Sequence, residues 1–258
     1  MAVVDSAFED AIQGIEDGIK QFEQIWDDFV NAVNVVLPRL PAYLQPVGKK
    51  SFNTLSTKKD NVLEKLVKVY VERGSASAVR QVASDWNTEV GEKASELADT
   101  LTTTQLPSHN KWEGRAYIAY KEVVAFQSTK LGEVKTMTDG VHSALVDIAN
   151  AMTTFWTGMK LAYYTFLAAM TGCAAGACTV VGLIPSIIAG AGFCAKFYDD
   201  LDELSTAFRN ALETNEAKLE DLQTLKGTEG RWPPINGEAL SDASVLDEDK
   251  ESDWKALP

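Results

Sequence analysis

Two histidines, His109 and His142, and three cysteines, Cys173, Cys178 and Cys194, are the side chains best suited to act as nucleophile, base or metal ligand. Their spacing does not assemble any of these chemistries. The cysteines show no paired Cys-x-x-Cys pattern, and two histidines do not complete a zinc set, so no metal is expected. Neither histidine has a serine or cysteine motif beside it. Carboxylates are plentiful, but they fall on polar helix faces or in the C-terminal tail and do not group as an acid/base pair. There is no phosphate loop or dinucleotide fingerprint. No catalytic, cofactor-binding or metal residue is assigned, and the expectation is a protein without enzymatic activity. The cysteines read as small buried hydrophobes. In an exported chain a Cys173–Cys178 or Cys178–Cys194 disulfide stays open.

With 258 residues, the chain is long enough to bury a substantial core. Its formal charge of -13 argues against nucleic acid as a partner, since there is no basic surface to neutralise phosphates. It also argues against simple electrostatic attraction to anionic lipid. The first residues, Met1-Ala2-Val3-Val4-Asp5, lack the basic region and apolar core of a secretory signal peptide. The expectation is a cytoplasmic protein, or one that leaves the cell without a cleavable signal.

The elements read as helices. Over residues 8–36, Phe8, Ile12, Ile15, Ile19, Phe22, Trp26, Phe29, Val33 and Val36 alternate four and three apart, a heptad seam that seeks partner helices. Asp5 or Ser6 can cap it, and Glu9 lies in its first turn. Pro38, Pro41 and Pro46 place a connector over 37–53. A second helix is predicted over Thr54–Arg73, with Val62, Leu66 and Val69 or Tyr70 inward. Lys49, Lys50, Lys58, Lys59, Lys65 and Lys68 make this region locally basic, either as a solvated face or as a contact for an acidic partner or for the chain's own acidic tail. Gly74 and Ser75 mark a stop and restart. A third face follows through Val79, Val82, Trp86, Val90, Ala94, Leu97 and Leu101. A further helix carries Ala116, Tyr117, Tyr120, Val124 and Leu131, with Gly140 as a break, and continues through Val141, Leu145, Ile148, Met152, Phe155 and Met159.

From Leu161 to Ala195 there is no charged side chain. The run is too long for one bilayer crossing of about 20 residues and barely long enough for two. Gly172-x-x-x-Gly176 is a close-packing motif for apolar helices. A bend is expected at Gly172–Gly176 or Gly182–Pro185. Three readings compete: two short helices buried in a bundle core, a membrane-inserting hairpin, or an ordinary transmembrane helix. The residues expected to meet lipid are Leu161, Phe166, Leu167, Gly172, Gly176, Val180, Val181, Leu183, Ile184, Ile187, Ile188 and Phe193. A final helix is predicted over Lys196–Leu225, with Phe197, Leu201, Leu204, Phe208, Ala211, Leu219 and Leu222 inward. From Gly227 the composition turns to Pro, Gly and acidic residues, with Trp232 and Trp254 among them, and reads as a disordered tail.

One tripeptide bears on the cellular route. Trp112-Glu113-Gly114 follows the turn signals of Leu106–Asn110 and separates two long amphipathic segments. There, Trp can cover an inter-helix groove, Gly relaxes the backbone, and Asn110 can cap the helix that follows. Over roughly residues 76–155 this resembles the WXG family, helical hairpins exported by type VII secretion systems, with Trp112, Gly114, Ala116 and Tyr120 as the matching positions. The resemblance implies an export signal of the form Tyr-x-x-x-Asp/Glu, which Tyr198 and Asp202 fit. Here a long apolar stretch intervenes between hairpin and signal, a departure from the family pattern.

The resulting expectation is an all-α, elongated antiparallel helical bundle containing a WXG-like hairpin and an apolar hairpin. Its segments are 1–50, a heptad helix and connector; 51–160, a bundle with the WXG-like hairpin; 161–195, the apolar hairpin; 196–226, a C-terminal helix; and 227–258, an acidic tail. The function expected is that of a type VII-exported protein that interacts with membranes or partner proteins. Rival readings are an α-helical pore-forming toxin, or a component of one, and a cytoplasmic helical scaffold with the apolar stretch as core. A lipid bilayer, a helical partner protein and a second copy of the chain are the candidate partners. No cofactor is expected.

Overall fold

The computed structural model describes residues 5–101, 112–113, 115–224 and 255–256. The turn residues 102–111, with His109 and Asn110, Gly114 and most of the tail with Trp232 and Trp254 lie outside them. The fold is an all-α helical bundle. Its helices are α1 (Ser6–Val36), α2 (Gln45–Val71), α3 (Ala76–Asp85), α4 (Lys93–Thr100), α5 (Arg115–Ala177) and α6 (Leu183–Thr224). A π-helical segment, Trp86–Glu92, lies between α3 and α4. The chain divides into two compact units. One comprises Met1–Ala78 and Ile148–Glu213, the other Val79–Asp147 and Thr214–Pro258.

In the first unit, α1, α2, the part of α5 from Ile148 and the first part of α6 pack as a four-helix bundle. Asp5 starts it. Its side chain accepts a 3.1 Å bond from the Phe8 amide and so caps α1. The same carboxylate accepts a 2.6 Å bond from Thr153 of α5, and the Asp5 amide donates to Ser77 of α3 at 3.0 Å. The buried face of α1 takes in Phe8, Ile12, Ile15, Phe22, Phe29, Val33 and Val36 of the predicted seam and widens to one side of it through Ala11, Gly14, Gly18, Ile25 and Ala32. Ile19 and Trp26 are therefore half-buried at its edge. The widening follows from two glycines that an apolar count ignores. A Cβ on Gly14 would stand 2.6 Å from the Lys160 stem, and one on Gly18 would stand 2.7 Å from the Tyr163 ring. Bare backbone at these positions lets α5 approach closely.

The aromatic core lies beyond this contact. Phe166 packs on Phe22 at 5.3 Å and on Phe197 of α6 at 5.0 Å, and the Tyr163 ring lies 5.5 Å from Phe197. Trp26 and Phe29 stack with Phe52 of α2.

Several predicted boundaries move. α2 begins at Gln45 rather than Thr54, because Pro46 falls in its first turn, where a missing amide hydrogen costs nothing. Leu37–Arg39 forms a short 3-10 turn rather than irregular chain. α6 begins at Leu183 rather than Lys196. Gly74 ends the α2 segment with φ of +63°, as a helix stop requires.

In the second unit, α3, the π segment and α4 run antiparallel to the first part of α5. Ser128 donates to the Ala98 carbonyl at 2.9 Å, and His142 Nδ1 lies 2.9 Å from the Ala83 carbonyl. Of the predicted inward face only Ala94 is fully buried. Val82, Trp86, Val90 and Leu97 are exposed, and Ala83 and Gly91, outside that face, are buried instead. A Cβ on Gly91 would lie 3.2 Å from Thr138, so small residues again set the approach. Gly140 does not break α5; it makes room for Leu222 of α6. A short antiparallel backbone pairing sets Trp112 opposite Ala256.

The Phe22–Phe166 contact makes Phe22→Ala the more damaging change along α1, at about 3–5 kcal/mol in urea unfolding, with half-exposed Trp26→Ala costing clearly less. Tyr163 carries a buried hydroxyl without a hydrogen-bond partner among the described residues. Tyr163→Phe should therefore leave stability unchanged or raise it by up to about 1–3 kcal/mol in the same experiment.

Candidate functional site: the apolar end of the first unit

The uncharged stretch forms the end of α5, a tight turn and the start of α6. The turn falls at Cys178–Gly182, after the first predicted bend and overlapping the second at Gly182. Thr179 Oγ1 accepts from the Gly182 amide at 2.9 Å and donates to the Gly176 carbonyl at 3.1 Å. A Cβ on Gly182 would stand 2.4 Å from that carbonyl, so only glycine fits. Pro185 sits in the first turn of α6, where it does not bend the helix.

Neither arm is covered on every side. Phe166, Leu167, Leu183 and Ile187 are buried against the other helices. Leu161, Gly172, Val180, Val181, Ile188 and Phe193 are exposed, and Gly176 and Ile184 are half-buried. Val181 is the most exposed large apolar side chain, at 87%. The expectation of two helices wholly enclosed in a core is thus corrected: α1 and α2 are enough to cover one face only. Among the described residues, no helix is long and apolar enough to cross a membrane.

The sequence reading missed the neighbours of this turn. Gly48 of α2 packs against Leu37, Leu40 and Ile184, which brings the start of α2 and the end of α1 beside the start of α6. Tyr43 is 76% exposed there, and Val35 and Val47 are also exposed. Their exposure had no periodic signal, because they lie in or beside a proline-rich connector. Next to the turn, an open groove of about 550 Å³ runs between α1 and α5, lined by Asp28, Asn31, Ala32, Val36, Thr171 and Ala174, among others.

All three cysteines are free. Cys173 and Cys194 are buried, as expected for small hydrophobes, and burial pushes the Cys194 thiol up to about 12. Cys178 departs from that expectation and is exposed in the turn. Among the described residues, no group of His, Cys, Asp and Glu could hold a metal ion. His142 is held by its bond to the Ala83 carbonyl.

Of the expected export residues, Gly114 lies outside the described residues, and Trp112 is described only in its backbone. Tyr198 and Asp202 lie one turn apart on α6 and meet at Lys65 of α2. The Lys65 ammonium sits 3.7 Å from the Tyr198 ring centre and forms an ion pair with Asp202.

Comparison with known proteins finds no matching family model, no matching curated protein and no matching solved structure.

Burial and exposure sort the cysteines sharply. A maleimide at neutral pH should label Cys178 alone in the folded protein and all three in denaturant, as counted by intact mass. The raised thiol of Cys194 favours the protonated folded state, so stability should be intact at neutral pH and fall as pH rises toward 12.

Proposed function

We propose that this is a non-enzymatic helical protein that acts at membranes through the turn between α5 and α6. The observation that carries the reading is the exposure of Val180 and Val181 at the tip of a hairpin without a charged side chain. A soluble domain gains nothing in water by presenting such a tip, and clustered exposed apolar side chains are a usual mark of an interaction surface. The buried face of the same hairpin supports the bundle, so the tip is held rigidly without depending on lipid. With no helix among the described residues able to span a bilayer, the docked state is interfacial insertion of the tip. Assembly of several copies into a pore would extend the same contact. Export by a type VII route is part of the proposal. Its support is the joint exposure of Tyr198 and Asp202 on one face of α6.

Val181→Asp tests the membrane reading. At so exposed a position the variant should remain soluble with unchanged far-UV circular dichroism. It should lose binding to, and leakage of, dye-loaded vesicles, because a carboxylate on the tip must give up its hydration to enter the interface. Wild-type protein that never binds vesicles at any pH would sink the proposal. For the export reading, Trp112→Ala, Gly114→Ala and Tyr198→Ala should each lower extracellular protein in a type VII-competent host while leaving helicity intact. Normal secretion of all three would remove it.

A further inference from the structure

Net charge hides how the charges are distributed over the first unit. From Phe29 to Lys59 there is no carboxylate, but there are Arg39, Lys49, Lys50, Lys58 and Lys59. From Leu161 to Ala195 there is no charge of either sign. The fold brings these two stretches to the same end of the bundle, since Gly48 of α2 packs on Ile184 of α6 and on Leu37. Arg39 lies in the 3-10 turn, and Lys49 and Lys50 lie in the opening turns of α2. All three are exposed, and among the described residues none of them makes an ion pair. Lys59, by contrast, is paired with Asp60 and lies over the Trp26 ring. At about 1.5 Å of rise per residue, the nearest carboxylates along α1, α2 and α6 lie well below the tip. Asp28 is about 12 Å from the end of α1, Asp60 about 22 Å from the start of α2, and Asp199 about 24 Å from the start of α6. The Debye length at physiological ionic strength is about 8 Å, so these acidic groups are largely screened from a surface touching the tip. In a chain of formal charge -13, this end is positive and apolar together among the described residues.

We propose that the end formed by the α5–α6 turn and the start of α2 docks on bilayers carrying anionic lipid, with Arg39, Lys49 and Lys50 as a basic collar that contacts headgroups while Val180 and Val181 enter the interface. The inference rests on the membrane reading above and adds the lipid class. It also reverses the expectation from net charge that anionic lipid would not attract the chain. An anionic surface is the occupant that matches both features, because unpaired cations stand beside an uncharged apolar tip.

Vesicle co-sedimentation of the full chain tests it, with phosphatidylcholine alone compared with phosphatidylcholine containing phosphatidylglycerol. Wild type should bind the anionic vesicles at least roughly tenfold more tightly, and the excess should vanish in high salt. The triple variant Arg39→Gln, Lys49→Gln, Lys50→Gln should lose that excess and keep the weaker binding to phosphatidylcholine. Lys20→Gln, Lys68→Gln and Lys196→Gln together remove as much charge from exposed sites far down the same bundle, and this variant should keep the preference. Val181→Asp should lose both kinds of binding. Equal wild-type binding to the two vesicles overturns the lipid preference while the membrane reading stands. An anionic preference that survives in the collar variant, or disappears equally in the distant one, overturns the role of these residues. No binding to either vesicle removes both proposals.

Discussion

The first unit depends on the one-sided burial of an uncharged helical hairpin. From Leu161 to Ala195 the chain has no charge with which to make a solvated face, so hydration cannot decide which side turns inward. Packing decides it. Tyr163, Phe166 and Phe197 form an aromatic cluster within the hairpin, and Phe22 of α1 closes it. α1 and α2 then cover the side on which those rings lie. The opposite side stays in water because the first unit has no further helix to cover it. The exposed Leu161, Ile188 and Phe193 follow from that shortage, while Val180 and Val181 are exposed because a turn at the end of a bundle has no neighbour beyond it.

Close approach in both units is set by small residues. Gly14 and Gly18 admit the Lys160 stem and the Tyr163 ring, Gly140 admits Leu222, and Gly91 lies against Thr138. This explains which parts of the fold were legible in the sequence. The existence of the helices was, because heptad and amphipathic periodicity is carried by large apolar residues. The stop at Gly74 and the cap at Asp5 were legible from local chemistry. The seam of α1 was legible too, but the rotation of the face that follows Gly74 was not. A periodic count weights Val82, Trp86, Val90 and Leu97 and passes over Ala83 and Gly91, yet the latter two are the ones buried. The π-helical segment adds to the error, because a segment with i→i+5 bonding turns the following residues away from the direction that an α-helical count assigns. Proline misled for a related reason. Pro46 was read as ending a helix and Pro185 as part of a candidate bend, but each falls in the first turn of a helix, where the lost hydrogen bond was never available.

The candidate site was half legible. The missing charges between Lys160 and Lys196 are visible by eye, and the tip residues could be named from them. Its other half comes from residues more than a hundred positions earlier. Tyr43, Val47, Lys49 and Lys50 acquire meaning only when the Gly48–Ile184 contact sets them beside the turn. Before that contact is known, the lysines are the solvated face of a basic helix and the prolines a connector. The same contact corrects the use of total charge. A formal -13 is a sum over the chain, whereas a surface touching one end responds to charges within about a Debye length.

The two faces of the hairpin can therefore change independently. Phe166, Leu183 and Ile187 hold the bundle from within, and Val180, Val181 and Ile188 make few contacts that the fold requires. Cys178 and Thr179 sit between them, and Thr179 fixes the turn through hydrogen bonds to Gly176 and Gly182 that do not involve the exposed side chains. A tip built this way keeps its shape in water without being covered. It differs in kind from an apolar segment that stays hidden until the fold opens. Here the apolar side chains at the turn already face outward, and contact needs no prior unfolding of the bundle that presents them.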